Sequence, residues 1–135
     1  MSSFRGWIML AVAVASVVLL PSCQRKPVAQ GPFYIMLTWN GGACQQNGSP
    51  GVIEVPYDEN VIFQGAAVLS QFQVQFPNGS CPFASCPVNS PNGNAVNVGK
   101  PNPNAGGNTY NYSGMMIDNQ SCNPAPTGMR IKPGP

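Results

Sequence analysis

The sequence predicts an all-β domain, a β-sandwich of about seven short strands, preceded by an apolar signal-peptide helix. Three observations carry that expectation. Glycine, proline and asparagine each occur 14 times from Cys23 onward, together 42 of 113 residues, and each forms turns or breaks helices for its own backbone reason. No stretch after residue 30 keeps a 3.6-residue apolar period. Phe72, Val74 and Phe76, however, alternate with Gln71, Gln73 and Gln75. That is the period of a strand with an aromatic face inward and an amide face outward.

The other strands follow in order. Phe33-Tyr34-Ile35-Met36-Leu37-Thr38-Trp39 is rich in β-branched and aromatic residues and runs into the turn Asn40-Gly41-Gly42. Gly51-Val52-Ile53-Glu54-Val55 reads as a second strand, stopped by Pro56. Tyr57-Asp58-Glu59-Asn60 turns the chain into a third, Val61-Ile62-Phe63. Gly65-Ala66-Ala67-Val68, ahead of the alternating strand, fits either a bulge or a short helical turn. Residues 87–108 are dominated by Asn, Pro and Gly, with one strand at Ala95-Val96-Asn97-Val98, and read as a partly mobile surface excursion. Thr109-Tyr110-Asn111-Tyr112-Ser113 alternates again, and Met129-Arg130-Ile131-Lys132 is a closing strand. Short strands with turn signals between them suit a sandwich. The 113 residues from Cys23 onward are enough for one small domain with one core.

Four cysteines belong to that domain: Cys44, Cys81, Cys86 and Cys122. An even count in an exported domain reads as two disulfides with three possible connectivities. Cys81-Pro82-Phe83-Ala84-Ser85-Cys86 encloses four residues, and its proline favours a bend, so a local bridge is the favoured pairing. Cys44 would then pair with Cys122 across a long loop. A four-thiolate zinc site is the rival reading, but such sites present their ligands in close pairs, and Cys44 and Cys122 have no near neighbour.

The fifth cysteine sits in a different context. Met1-Ser2-Ser3-Phe4-Arg5 carries one cation and no acid, Gly6 to Leu20 is an apolar run, and Pro21-Ser22-Cys23 ends it. That is the layout of a secretory signal, and the run is short for a bilayer span, which needs about 20 residues. Leu20-Pro21-Ser22-Cys23 resembles the bacterial lipobox, an aliphatic residue and two small ones before a cysteine, with proline as a departure at the second position. The resemblance implies cleavage after residue 22 and lipidation of Cys23. Several acyl chains at about 0.8 kcal/mol per buried CH₂ make a permanent anchor. Gln24, in place of an aspartate, implies the outer membrane. Residues 1–22 are thus expected to be a signal peptide, 23–32 a flexible tether, and 33–135 the β-sandwich.

A second resemblance concerns the domain. Trp39-Asn40-Gly41, Val61-Ile62-Phe63 after an acidic turn, Phe76-Pro77-Asn78-Gly79-Ser80, Gly107-Asn108-Thr109-Tyr110-Asn111-Tyr112 and Gly128-Met129-Arg130-Ile131-Lys132 follow one another. This order is similar to that of cupredoxin-like domains, and the resemblance implies a Greek-key β-sandwich, with an immunoglobulin-like sandwich as the neighbouring expectation. A blue-copper site needs two imidazoles and a thiolate, often with a weak axial Met. The chain contains no histidine, and the place of the ligand cysteine falls near Ser113-Gly114. Met129 and the Met115-Met116 pair remain as thioethers without partners, so no cofactor is expected.

The lack of histidine also removes Ser-His-Asp and Cys-His catalysis. The carboxylates Glu54, Asp58, Glu59 and Asp118 show no motif that would pair them across a cleft, so no enzyme is expected. Net charge is +2 overall, with no Lys/Arg cluster of the kind that binds nucleic acid. Two readings of function follow. One is a structural or protein-interaction module held to the cell envelope through Cys23, with Tyr57, Tyr110 and Tyr112 as candidate anchors. The other is a periplasmic or surface glycan-binding module, with Trp39 or the tyrosines stacking on sugars.

Overall fold

The computed structural model describes residues 31–135. The signal peptide, Cys23 and all of the tether except Gly31 and Pro32 lie outside the described residues. The described chain is all-β, with eleven short strands and no helix. They are β1 (Phe33–Asn40), β2 (Ala43–Gln46), β3 (Val52–Val55), β4 (Val61–Gly65), β5 (Phe72–Gln75), β6 (Val88–Ser90), β7 (Val96–Gly99), β8 (Thr109–Asn111), β9 (Gly114–Ile117), β10 (Gln120–Ser121) and β11 (Gly128–Ile131). They form three sheets in the orders β2-β1-β4-β7, β10-β9-β5-β6 and β3-β11-β8. This is a sandwich-like arrangement with more, shorter strands than the seven expected.

Alternation explains the layering. In β1, Ile35 and Leu37 point inward while Tyr34, Met36 and Thr38 are more open. In β4, Val61 and Phe63 are fully buried and Ile62 and Gln64 are half-buried. Phe72 and Val74 of β5, Met115 and Ile117 of β9, and Met129 and Ile131 of β11 complete one core. Fully burying one such side chain is worth about 1.5–3 kcal/mol. Trp39, Phe76, Tyr110 and Tyr112 pack against that core while partly buried. Gly128 opens β11 at a point where no side chain fits, since a Cβ there would lie 2.2 Å from the Tyr110 carbonyl oxygen of β8.

Residues 87–108 correct the expectation of a loose excursion. They contain β6 as well as β7, and β7 starts at Val96 rather than Ala95. Pro101 and Ala105 are buried, and the Asn102 amide donates to the Pro82 carbonyl at 2.7 Å. A segment poor in apolar residues is thus tied down by backbone hydrogen bonds and by the buried side chains of Val88, Ser90, Val98, Pro101 and Ala105. Both disulfides form in the favoured pairing, Cys44–Cys122 and Cys81–Cys86.

A polar link joins two of the sheets through the interior. Gln46 of β2 is fully buried. Its amide nitrogen donates to the carbonyls of Gly51, at 2.9 Å, and Gly128, and its oxygen accepts from the Tyr112 hydroxyl at 2.6 Å. The Tyr112 ring is partly buried, yet desolvation pushes its phenol well above the usual tyrosine value. A raised pKa in the folded state gives stability that is intact below the unfolded value, about 10, and fades as pH rises beyond it. The stability advantage of the native protein over Tyr112→Phe should therefore hold to about pH 10, then shrink by up to about 1.4 kcal/mol per pH unit. Urea unfolding of both proteins between pH 7 and 11 checks this; a constant difference would show that the hydroxyl ionises equally in both states.

Candidate functional site

β1 and β4 lie side by side and parallel, Phe33 level with Val61 and Leu37 level with Gly65. The chain enters β1 at Phe33, whose amide donates to the Asn60 carbonyl. At the other end of the pair, beyond Gly65, the chain leaves the sheet as the loop Ala66-Ala67-Val68-Leu69. The two ends are four residue steps apart, roughly 13 Å at about 3.3 Å per residue.

That loop is apolar and exposed. Val68 is 94% exposed and Leu69 68%, an arrangement that costs solvation and is uncommon as a contiguous feature. It is also braced. The Ala66 amide donates to the Leu37 carbonyl, and the Ser70 amide to that of Ala67. Leu69 takes a positive φ of 60°, a conformation in which a bulky residue stays only when its surroundings hold it. Gly93 supplies part of that support: with φ of 72°, it passes so close that a Cβ there would lie 2.2 Å from the Leu69 carbonyl carbon. Asp118, in the turn after β9, supplies the rest. Its carboxylate accepts from the Ser70 hydroxyl at 2.9 Å and the Gln71 amide at 3.0 Å, and its own amide donates to the Gln71 carbonyl at 2.8 Å.

Beside the loop, the outer face of the second sheet forms a shallow pocket of about 260 Å³. The register sets Gln73 of β5 between Asn89 of β6 and Met116 of β9. Gln71 and Asn119 extend this row toward the loop, with Pro91 at its edge. The pocket wall therefore combines four amide side chains, able to donate and accept, with apolar Phe72, Pro91 and Met116. Gln71 belongs both to the loop's brace and to this wall.

No family model matches the chain, and no curated protein or solved structure matches it.

The residues singled out in the sequence take separate places. Asp118 braces the loop. Glu54 lies on β3 at 3.9 Å from Lys132, both of them exposed. Asp58 and Glu59 stay in the turn before β4. Among the described residues no three His, Cys, Asp or Glu side chains gather as a metal site would require. Met129 is buried in β11 and Met115 in β9, in different sheets. Of the tyrosines, Tyr57 is exposed, whereas Tyr110 and Tyr112 pack on the core. Trp39 also packs on the core from its place in β1. Val68 and Leu69 were not singled out in advance. The signal available was weak: a run of small apolar residues between two strands, with no period to place it in the core.

Proposed function

We propose that the protein is a lipoprotein of the bacterial cell envelope, anchored through lipid on Cys23, whose domain is a non-catalytic structural or protein-interaction module. The observation that carries this reading is the braced apolar loop at the end of β1–β4 opposite the chain's point of entry. From Cys23 to Phe33 there are ten residues, which span at most about 35 Å. A tether attached at that end leaves Val68 and Leu69, at the far end of the β1–β4 pair, clear of the attachment point and open to a partner. Two aliphatic side chains carried on a braced backbone lose little backbone entropy on docking, which favours recognition by an apolar pocket of an envelope protein. The two disulfides fit an oxidising compartment, in keeping with a periplasmic or surface location at the outer membrane. For the domain we propose a Greek-key sandwich of the cupredoxin-like type, without copper.

A second reading is favoured by a specific feature. The amide row of Gln71, Gln73, Asn89 and Asn119 offers the paired donors and acceptors that a glycan requires, although the aromatic residue at the pocket, Phe72, is buried and presents no open ring for stacking.

One experiment in living cells tests the reading. Metabolic palmitate labelling should mark the protein and leave Cys23→Ser unlabelled. Crosslinking in intact envelopes should yield one defined adduct, which the Val68→Ser/Leu69→Ser variant loses while melting at the native temperature. An unlabelled native protein would refute the anchor, and an adduct that survives the loop variant would refute the docking role of the loop.

A further inference from the structure

We propose that the Cys81–Cys86 disulfide is a thiol–disulfide exchange site, able to oxidise a pair of cysteine thiols presented by a partner protein, while Cys44–Cys122 is structural. Cys81 and Cys122 are both partly exposed, so the two bridges differ in their other sulfur and in what lies beside it. Cys44 is buried in the core at 1% exposure. Cys86 is exposed, Cys81 is partly exposed, and both line an open groove of about 530 Å³. Phe76, Pro77 and Pro87 give that groove apolar walls, and Asn78 and Ser113 add polar ones. It has room for an extended segment carrying a cysteine.

The surroundings of Cys81 suit a leaving group. The Phe83 amide donates to the Cys81 sulfur at 3.3 Å. The donor is fixed because the Phe83 side chain is buried in the core and packs edge-on against Phe63 and Phe76. A disulfide sulfur accepts weakly, but a thiolate accepts a charge-assisted bond, so the contact strengthens as the bond to Cys81 breaks. A lower leaving-group pKa speeds exchange. The Phe83 carbonyl, 3.3 Å from the same sulfur, stands ready to accept from the thiol once it is protonated.

The steps balance as follows. A thiolate of the partner attacks the exposed Cys86 sulfur and forms a mixed disulfide. The Cys81–Cys86 bond breaks, its electron pair leaves on Cys81, and water later supplies the proton. The partner's second thiolate then attacks its own sulfur in the mixed disulfide and releases Cys86 as thiolate. The partner loses two electrons and gains a disulfide; Cys81 and Cys86 gain those electrons and become thiols. The segment keeps its place without the bond, because Phe83 remains in the core and Pro82 still accepts from Asn102.

Equilibration of the detergent-solubilised full-length protein in glutathione buffers of stepped redox ratio, followed by alkylation and peptide mapping, tests this. Cys81–Cys86 should open at a ratio at least about tenfold less reducing than Cys44–Cys122. The trapped glutathione adduct should map to Cys86, the circular dichroism should stay native, and a dithiol peptide should be oxidised at one equivalent per protein. Joint opening of both bridges, an adduct on Cys81, loss of native structure on opening, or a peptide left reduced would each overturn the proposal. The outcome is independent of the lipid anchor and of Val68 and Leu69.

Discussion

Replacing Cys44 and Cys122 together by alanine is expected to lower the unfolding free energy by about 4.5 kcal/mol, a large part of the 5–15 kcal/mol typical of a domain. The bridge joins positions 78 residues apart, and releasing a loop of that length returns about 4.5 kcal/mol of chain entropy to the unfolded state. Cys44 is also a core residue, so its truncation adds a small cavity. The Cys81–Cys86 bridge spans five positions, and its removal should cost about 2 kcal/mol. Urea unfolding under oxidising conditions separates the two. A loss below about 1 kcal/mol for the Cys44/Cys122 variant would mean that the unfolded chain already holds these segments together.

Gln46→Leu should be nearly as damaging, at about 3–5 kcal/mol. The substitution keeps the side chain's size but strands the Gly51 and Gly128 carbonyls and the Tyr112 hydroxyl. Each group left unpaired away from water costs about 1–3 kcal/mol. Adding Tyr112→Phe to Gln46→Leu removes one of the three stranded groups, so the double variant should be more stable than the sum of the single losses predicts. A double-mutant cycle should report a coupling of at least about 1 kcal/mol. Simple additivity would show that water reaches the Tyr112 hydroxyl once Gln46 is gone.

The parts of this fold legible in the sequence were those with a local cause. The Gln/Phe alternation placed β5 with the correct face inward, and the close spacing of Cys81 and Cys86 favoured the observed pairing. β2 was missed because Ala-Cys-Gln-Gln carries no strand pattern. A buried Gln46 makes sense only with partners far along the chain, one of them 66 positions on and another 82. β9 was missed because Met115-Met116 lacks β-branching, although Met115 and Ile117 alternate with Met116. The short β6 and β10 are held by their neighbours rather than by their own composition. The loop at Val68 and Leu69 could not be placed, because small apolar residues suit a core turn equally well. Its exposure arises only where the chain passes from β4 in one sheet to β5 in another. Nothing in the order of residues announces that Asp118 will reach Ser70.

The position of β11 bears on how the domain comes into being. This strand lies late in the sequence, yet it occupies the middle of its sheet, parallel to β3 on one side and antiparallel to β8 on the other. Until residues 128–131 arrive, β3 and β8 have no partner between them, and each presents an open edge to other chains. Pairing so distant in sequence makes folding slow and leaves those edges open meanwhile. A chain emerging in order from the ribosome would therefore leave this sheet open until residues 128–131 are free to pair. Its assembly is governed by the last strand to appear.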